Sequence, residues 1–386
     1  QDYNVDVGML AVIGPVAGSL GPSMCYLGVV CRVSFLSTTP SGGFVQVSPT
    51  GCDEPTPLFG EVEATAEEGY YTADFGRLAG EPGLAYSVCW SLESRAADFL
   101  VVLGTIDVAG PEARPDVNCT LGAVCSMSIN IVGPPGEDLG SAALREGSCA
   151  SDAALATWVG IDNPLTMTTE IVFGVPLAGD PAPTYMLCWS SEAAPARHRV
   201  RIGSVALVGP RSRDFRCVMG RPCLLDVVGF GMQPENEVAV LRNSTGCTDG
   251  TPVDFVGWDS PIAWYSGNST AGTFRFSANS TAYGGIPGPV RVCWGSNPSQ
   301  GFAHIVSLGE LEMMGPSMVE LACTLSAPCS VVVTGVGLTM DDYVAVVRGS
   351  CGRGALLAEW TGVVNPAPAS GSVGHHSWGT PTAGTP

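Results

Sequence analysis

The stretch CVMGRPCLLDVVGFGMQPENEVAVL, residues 217–241, decides how the rest of the chain is read. A Cys-x5-Cys pair leads into an apolar segment, which breaks at GFGM (229–232) and resumes as the β-branched VAVL (238–241). The same order returns at 323–347, where GVGL (335–338) precedes YVAVV (343–347). In sister copies the segment after the second cysteine alternates: Cys31, Val33, Phe35; Cys125, Met127, Ile129, Ile131; Cys329, Val331, Val333. A period of two places such residues on one buried face of a strand. The Gly-rich break reads as a turn between strands.

Outward from that stretch, a four-cysteine unit repeats. Cys25, Cys31, Cys52 and Cys89-Trp90 form the first copy; Cys119, Cys125, Cys149 and Cys188-Trp189 form the second. Cys217, Cys223, Cys247 and Cys293-Trp294 form the third, and Cys323, Cys329 and Cys351 a fourth without its Cys-Trp. Each copy opens on Gly-Pro, at 14–15, 110–111, 209–210 and 315–316. Residues 1–15, QDYNVDVGMLAVIGP, match the closing segments 97–111, 198–210 and 304–316, with Gly8 aligned to Gly104, Gly203 and Gly309. The expected organisation is therefore a spare N-terminal strand (1–13), three complete units (14–108, 109–207, 208–313) and an incomplete fourth (314–386) with a Pro/Gly/Thr-rich tail.

The predicted class is all-β: tandem Greek-key sandwiches of short strands, with no segment of helical period and adequate length. The motif Cys-x5-Cys-x-Val, then Gly-x-Gly-[Leu/Met], then Val-x-Val resembles the immunoglobulin-like domains of the IPT/TIG type. The resemblance covers about the first half of each unit. It implies extracellular spacers, adhesion units or surface-structure components, and no enzymatic activity.

Four cysteines per unit allow three pairings. In YMLCW (185–189) Leu187 and Trp189 share a face and Cys188 points away from it; Val88 and Trp90 stand the same way against Cys89. The second cysteine lies on its strand's core face, so a bridge from second to fourth is disfavoured. First-to-second and third-to-fourth bridges are expected, worth roughly 2–3 kcal/mol each, with Cys351 left over.

Composition narrows the function. Fifteen cysteines suit an oxidising compartment. Sequons at Asn118, Asn243, Asn268 and Asn279 are N-glycan acceptors in a secreted protein, and a chain starting at Gln1 fits removal of a signal peptide. A net charge of −19 argues against a nucleic-acid partner, and no apolar run reaches membrane-spanning length. All 17 basic residues are arginine, which a GC-rich genome explains. His375-His376, and acids such as Asp107, Glu112 and Asp341-Asp342, read as surface or packed residues before they read as metal ligands. No cofactor is expected.

The misphased repeat carries the functional expectation. Tyr3, Val5 and Val7 alternate with Asp2, Asn4 and Asp6, and they correspond to Phe99, Val101, Leu103 and to their counterparts in the later units. Donation of this strand to the unfinished unit of a neighbouring copy removes an open sheet edge and builds a secreted, glycosylated filament head to tail. One difficulty stands. The fourth unit keeps EWTGVVNP (359–366), like TWVGIDNP (157–164), and SWGTPTAGTP (377–386), like VFGVPLAGDP (172–181). It lacks two strands, and the N-terminus supplies one. A window of a longer covalent repeat fibre, and a monomeric adhesin or receptor ectodomain, are the alternatives; capping of the first unit by its own residues 1–13 is the bland reading.

Overall fold

The computed structural model describes residues 8–53, 57–94, 99–114, 116–133, 140–150, 152–168, 170–182, 184–191, 198–242, 246–276, 281–297, 303–349, 351 and 356–384. Every regular element among them is a strand. The first unit contains β1 (Met24–Tyr26), β2 (Val30–Phe35), β3 (Phe44–Ser48), β4 (Phe59–Glu63), β5 (Thr65–Glu67), β6 (Tyr70–Arg77), β7 (Gly83–Ser91) and β8 (Val101–Pro111). One sheet runs β1-β8-β7-β3-β4 and the other β2-β6-β5. The chain passes from one sheet to the other between β1 and β2, β2 and β3, β4 and β5, and β6 and β7, as in a Greek-key sandwich. β1 lies parallel to β8 with Cys25 opposite Val108, and β8 is antiparallel to β7. Each full unit is an immunoglobulin-like sandwich.

The second unit has the same two layers, built from β9 (Val117–Thr120), β10 (Cys125–Ser128), β11 (Ile131–Val132), β12 (Ser141–Glu146), β13 (Val159–Ile161), β14 (Leu165–Thr166), β15 (Glu170–Ala178), β16 (Tyr185–Ser190) and β17 (Val200–Pro210), with β13 now in the β10-β15 layer and β14 beside β12. The third has β18 (Phe215–Val218), β19 (Leu224–Phe230), β20 (Glu237–Arg242), β21 (Thr251–Pro252), β22 (Ile262–Asn268), β23 (Ala271–Arg275), β24 (Gly288–Gly295) and β25 (Val306–Pro316). The closing strands β8, β17 and β25 cross the boundaries expected after residues 108, 207 and 313. Their last two residues already pair with the next unit: Gly110 with Val132, Gly209 with Phe230, and Gly315 with Val336. One strand thus closes a sandwich and opens the next, which stiffens the string.

Disulfides join the first cysteine to the second and the third to the fourth in every complete unit, with Cα–Cα separations from 5.1 to 5.7 Å. Cys25 and Cys31 belong to the main core beside Val33, Val88 and Trp90, whereas Cys52 and Cys89 form a separate cluster with Phe99 on the other face of the sheet. Strict alternation would set Phe99, Val101 and Leu103 on one face. A bulge instead steps the pairing from Val88–Gly104 to Cys89–Val102. The extra residue sends Leu103 into the main core, Phe99 onto the Cys52–Cys89 side and Val101 to the surface. The same bulge recurs at Gly203 and at Gly309.

The fourth unit is thinner. It has β26 (Cys329–Val332), β27 (Gly335–Val336), β28 (Tyr343–Val344), β29 (Val347–Arg348), β30 (Leu356–Leu357), β31 (Thr361–Val363), β32 (Ala367–Pro368) and β33 (His375–Ala383). β26-β33-β31 form a full counterpart of β10-β15-β13, but the opposite sheet is reduced to the pairs β28-β32 and β29-β30. Its core is a separate cluster of Cys329, Val331, Val333, Ala367 and Trp378.

Candidate assembly site

Two surfaces of the molecule are each half of something that the full units hold complete. The first surrounds the Cys323–Cys329 turn. The backbone N–H two residues after the first cysteine donates to the closing strand in each full unit: Leu27 to Ala109 at 3.0 Å, Leu121 to Val208 at 2.9 Å, Met219 to Met314 at 2.8 Å. The next N–H donates to the other sheet in all four: Gly28 to Leu78, Gly122 to Pro176, Gly220 to Ala282 and Ser326 to Pro381. The fourth turn is therefore built like the others, yet no described residue offers Leu325 the closing-strand carbonyl. Leu27 and Leu121 are 1% exposed; Leu325 is 53% exposed. Met318, Val319 and Leu321 lie bare just ahead of it, and residues 318–324 form no strand. Segments such as β1, β9 and β18 become strands by pairing with a closing strand, so the lost element follows from the lost partner.

The strand carrying the third-cysteine region is open as well. In the second unit β12 pairs with β16 along six residues, from Ser141–Ser190 to Glu146–Tyr185. In the fourth, β28 and β29 pair only toward β32 and β30. Cys351, at the position of Cys149, is an exposed free thiol.

The second surface is residues 8–13. Pro15 bridges Ser37, and the N–H of Thr38 donates to the Gly14 carbonyl at 2.9 Å, so Gly14-Pro15 opens the first unit as Gly110-Pro111 opens the second. Ahead of that anchor, residues 8–13 join no strand. Leu10 and Val12 are 92% and 89% exposed. Two and four residues after the aligned glycine, they correspond to Ile106 and Val108, Val205 and Leu207, Leu311 and Met313, all in the core. Sequence reading stopped at Tyr3, Val5 and Val7, which lie outside the described residues. It passed over Leu10 and Val12, although the aligned Gly-Pro ends held the signal. Gly14 completes the match. A β-carbon on Gly110, Gly209 or Gly315 would come within 2.9 Å of Leu27, Leu121 or Met219, but one on Gly14 would meet no described residue within 4 Å.

The remaining sequence candidates fall as follows. Asn118 is exposed on β9 and Asn268 is exposed at the β22–β23 turn. There the Asn268 Oδ1 accepts from the Thr270 N–H at 2.9 Å, the Thr270 hydroxyl at 2.8 Å and the Ala271 N–H at 3.1 Å. Asn243 and Asn279 lie outside the described residues. His376 is buried, with Nδ1 3.1 Å from the Ala367 carbonyl, and His375 Nδ1 is 3.2 Å from Ser370 Oγ. Asp107, Glu112 and Asp342 accept local hydrogen bonds from the Ala85 N–H, the Asn130 amide and the Thr339 N–H. No group of three or more metal-binding side chains occurs among the described residues. No helix among them is long and apolar enough to cross a membrane.

No protein-family model matches the chain, and no curated protein does. Solved structures of tandem immunoglobulin domains align along it. An I-band fragment of titin, I67–I69, matches at 13% identity over 78% of this chain and 97% of its own, with a TM-score of 0.19. The complex of Dpr2 Ig1-Ig2 with DIP-Theta Ig1-Ig3 matches at 11% identity over 78% and 98%, with a TM-score of 0.20. Drosophila OTK extracellular domains 3–5 match at 13% over 78% and 97%, with a TM-score of 0.18. Superposition this loose decides nothing about the chain, whose fold stands on its own strand register and disulfides.

Proposed function

We propose that the chain is a structural subunit of an extracellular, N-glycosylated filament, in which residues 1–13 of one copy close the fourth unit of the next. The observation that carries this reading is the pair of matching exposures: Leu10 and Val12 bare at one end, at positions buried in all three full units, and Leu325 half bare at the other, where Leu27 and Leu121 are buried and Met219 is partly buried. Transferring the register of β8 on β1 sets Val12 opposite Cys323 and Ile13 opposite Thr324, with Leu325 packed over Gly14. Covering what remains exposed of Leu10, Val12, Leu321 and Leu325 supplies roughly 4–9 kcal/mol, against an association cost of about 4–15 kcal/mol. The ladder hydrogen bonds and the residues ahead of Gly8 therefore decide whether the contact holds. Because donor and acceptor surfaces differ, the contact is heterologous and propagates into a fibre. Seven disulfides support an oxidising, extracellular setting.

The 386-residue chain, expressed through an oxidising secretory route, is expected to form uniform fibres by electron microscopy. Changing Leu10 and Val12 together to Asp should leave single rods. Fibres of the double variant indistinguishable from the parent's would overturn strand donation. The second reading, a window of a longer covalent repeat, is favoured by the two missing strands. The intact mass of the natural protein decides it: a mass that deglycosylation and reduction bring down to 39.7 kDa excludes that reading.

A further inference from the structure

Consecutive units touch at one recurring point besides their shared strand. A β-carbon on Gly28 of the first unit would lie 2.7 Å from Val200 Cγ2, at the start of the second unit's closing strand. A β-carbon on Gly122 of the second would lie 3.1 Å from Val306 Cγ2, at the start of the third's. Val200 and Val306 each stand three residues before the aligned glycine, Gly203 or Gly309. Both receiving glycines occupy the left-handed region, at φ 73° and 78°, and only a residue without a side chain lets the valine sit this close. The first unit's own Val101 is 42% exposed, while Val306 is 2% exposed.

Gly220 is the same residue of the third unit. It has the same hydrogen bond to the opposite sheet and φ 79°, but no described residue lies within 4 Å of the position its β-carbon would take. It lines a cavity of about 840 Å³ between the third and fourth units, whose walls include Met219, Tyr283, Gly285, Met318 and Tyr343. Met318 and Tyr343 are among the exposed apolar side chains of the fourth unit.

We propose that Gly220 is the seat for Val5 of a second copy of this chain. Val5 stands three residues before Gly8, as Val200 and Val306 stand before their glycines. The inference rests on the strand-donation reading and deepens it: the incoming strand binds two units at once, closing the fourth and latching on the third. The latch restricts register. It guards against one slip only: a shift of two residues that brought Tyr3 to the seat would place a ring too large for a contact that barely admits a valine, whereas the opposite shift brings Val7 and is left to the rest of the strand pairing.

The test compares critical concentrations for fibre formation. Gly220→Asn keeps a residue that tolerates the left-handed region and adds atoms where strand pairing alone places none. It is expected to raise the critical concentration at least tenfold, with monomer circular dichroism unchanged. Val5→Trp, a change in the incoming segment itself, should do the same, and Val5→Ala should partly restore assembly of Gly220→Asn. Parental critical concentrations for Gly220→Asn and Val5→Trp, in a preparation where the Leu10→Asp, Val12→Asp variant fails to polymerise, would overturn the seat and leave donation standing. Normal polymerisation of that double variant would remove both. If Gly220→Asn disturbs the monomer, Val5→Trp alone decides.

Discussion

The second and fourth units begin from nearly the same instructions and end in different states. Asn163 lies across the sandwich edge in the second: its Oδ1 accepts from the Leu144 N–H at 2.9 Å, and its Nδ2 donates to the carbonyls of Leu144 (2.9 Å) and Ala156 (3.0 Å). Asn365 repeats all three bonds in the fourth, with Val346 at 2.9 and 2.7 Å and Ala358 at 3.2 Å. The scaffolding is copied bond for bond, but the packing is not. Trp158 is buried edge-on against Tyr185 of β16, with ring centroids 4.8 Å apart. Its counterpart Trp360 has no described strand to meet and is half-buried. Local networks of an immunoglobulin-like sandwich therefore form without the last two strands, while its core forms only in part.

That comparison breaks most completely if the missing strands are supplied in cis. Fusing a copy of residues 182–210 directly after Pro386 continues the match of 377–386 to 172–181. The grafted Cys188 equivalent then meets Cys351, and the grafted closing strand covers Leu325. The expected product is a closed monomer with an eighth disulfide, a Cys351 protected from alkylation, a blue-shifted Trp360 emission and no fibres. Fibres from the fused chain would show that the open fourth unit is not the acceptor.

How much of this was legible in the sequence follows from what each signal encodes. The cysteine spacing and the period-two segments gave the strands and the unit length, because side-chain alternation is fixed by backbone geometry. The Gly-Pro pairs also stood in the sequence as the opening of each unit, and they pair with the unit that follows; what a turn signal does not say is that the strand before it runs on without a break. The bulge before Gly104, Gly203 and Gly309 was invisible, because one extra residue leaves the apolar pattern intact and changes only the face. It separates Phe99 from Leu103, which strict alternation would keep on one face. The place of Leu10 and Val12 could be had from the aligned Gly-Pro ends, but the exposure of Leu325 was beyond sequence reading: it is an ordinary core residue, and only the absent partner makes it a site.

A medium-sized effect sharpens the comparison within the intact chain. Replacing Asn163 by Ala strips buried Leu144 of two hydrogen bonds at its outer edge, at a cost of about 2–3 kcal/mol. Amide exchange at Leu144 should accelerate roughly 30–150-fold. The same change at Asn365 affects half-buried Val346, where water replaces the lost partner, and about 1 kcal/mol or roughly 5-fold is expected. Equal acceleration at the two sites would mean that the fourth unit is as well packed as the second.

The smallest effect concerns the joints. His304 stands five residues before Gly309, where the first and second units carry Phe99 and His198, and it directly precedes the Ile305–Val306 pair that rests on Gly122. Burial lowers its pKa, and Glu237, with Oε2 3.6 Å from Nε2, opposes that shift without cancelling it. A neutral imidazole is therefore favoured in the folded state. The stability this contributes is complete above the unfolded value of about 6.5 and is lost as pH falls through the lower folded value. Acidification should thus loosen the third unit and its contact with the second before the others. His304→Gln should flatten the pH dependence of that unit's melting between neutrality and mild acid. An unchanged pH profile in the variant would place the acid sensitivity elsewhere.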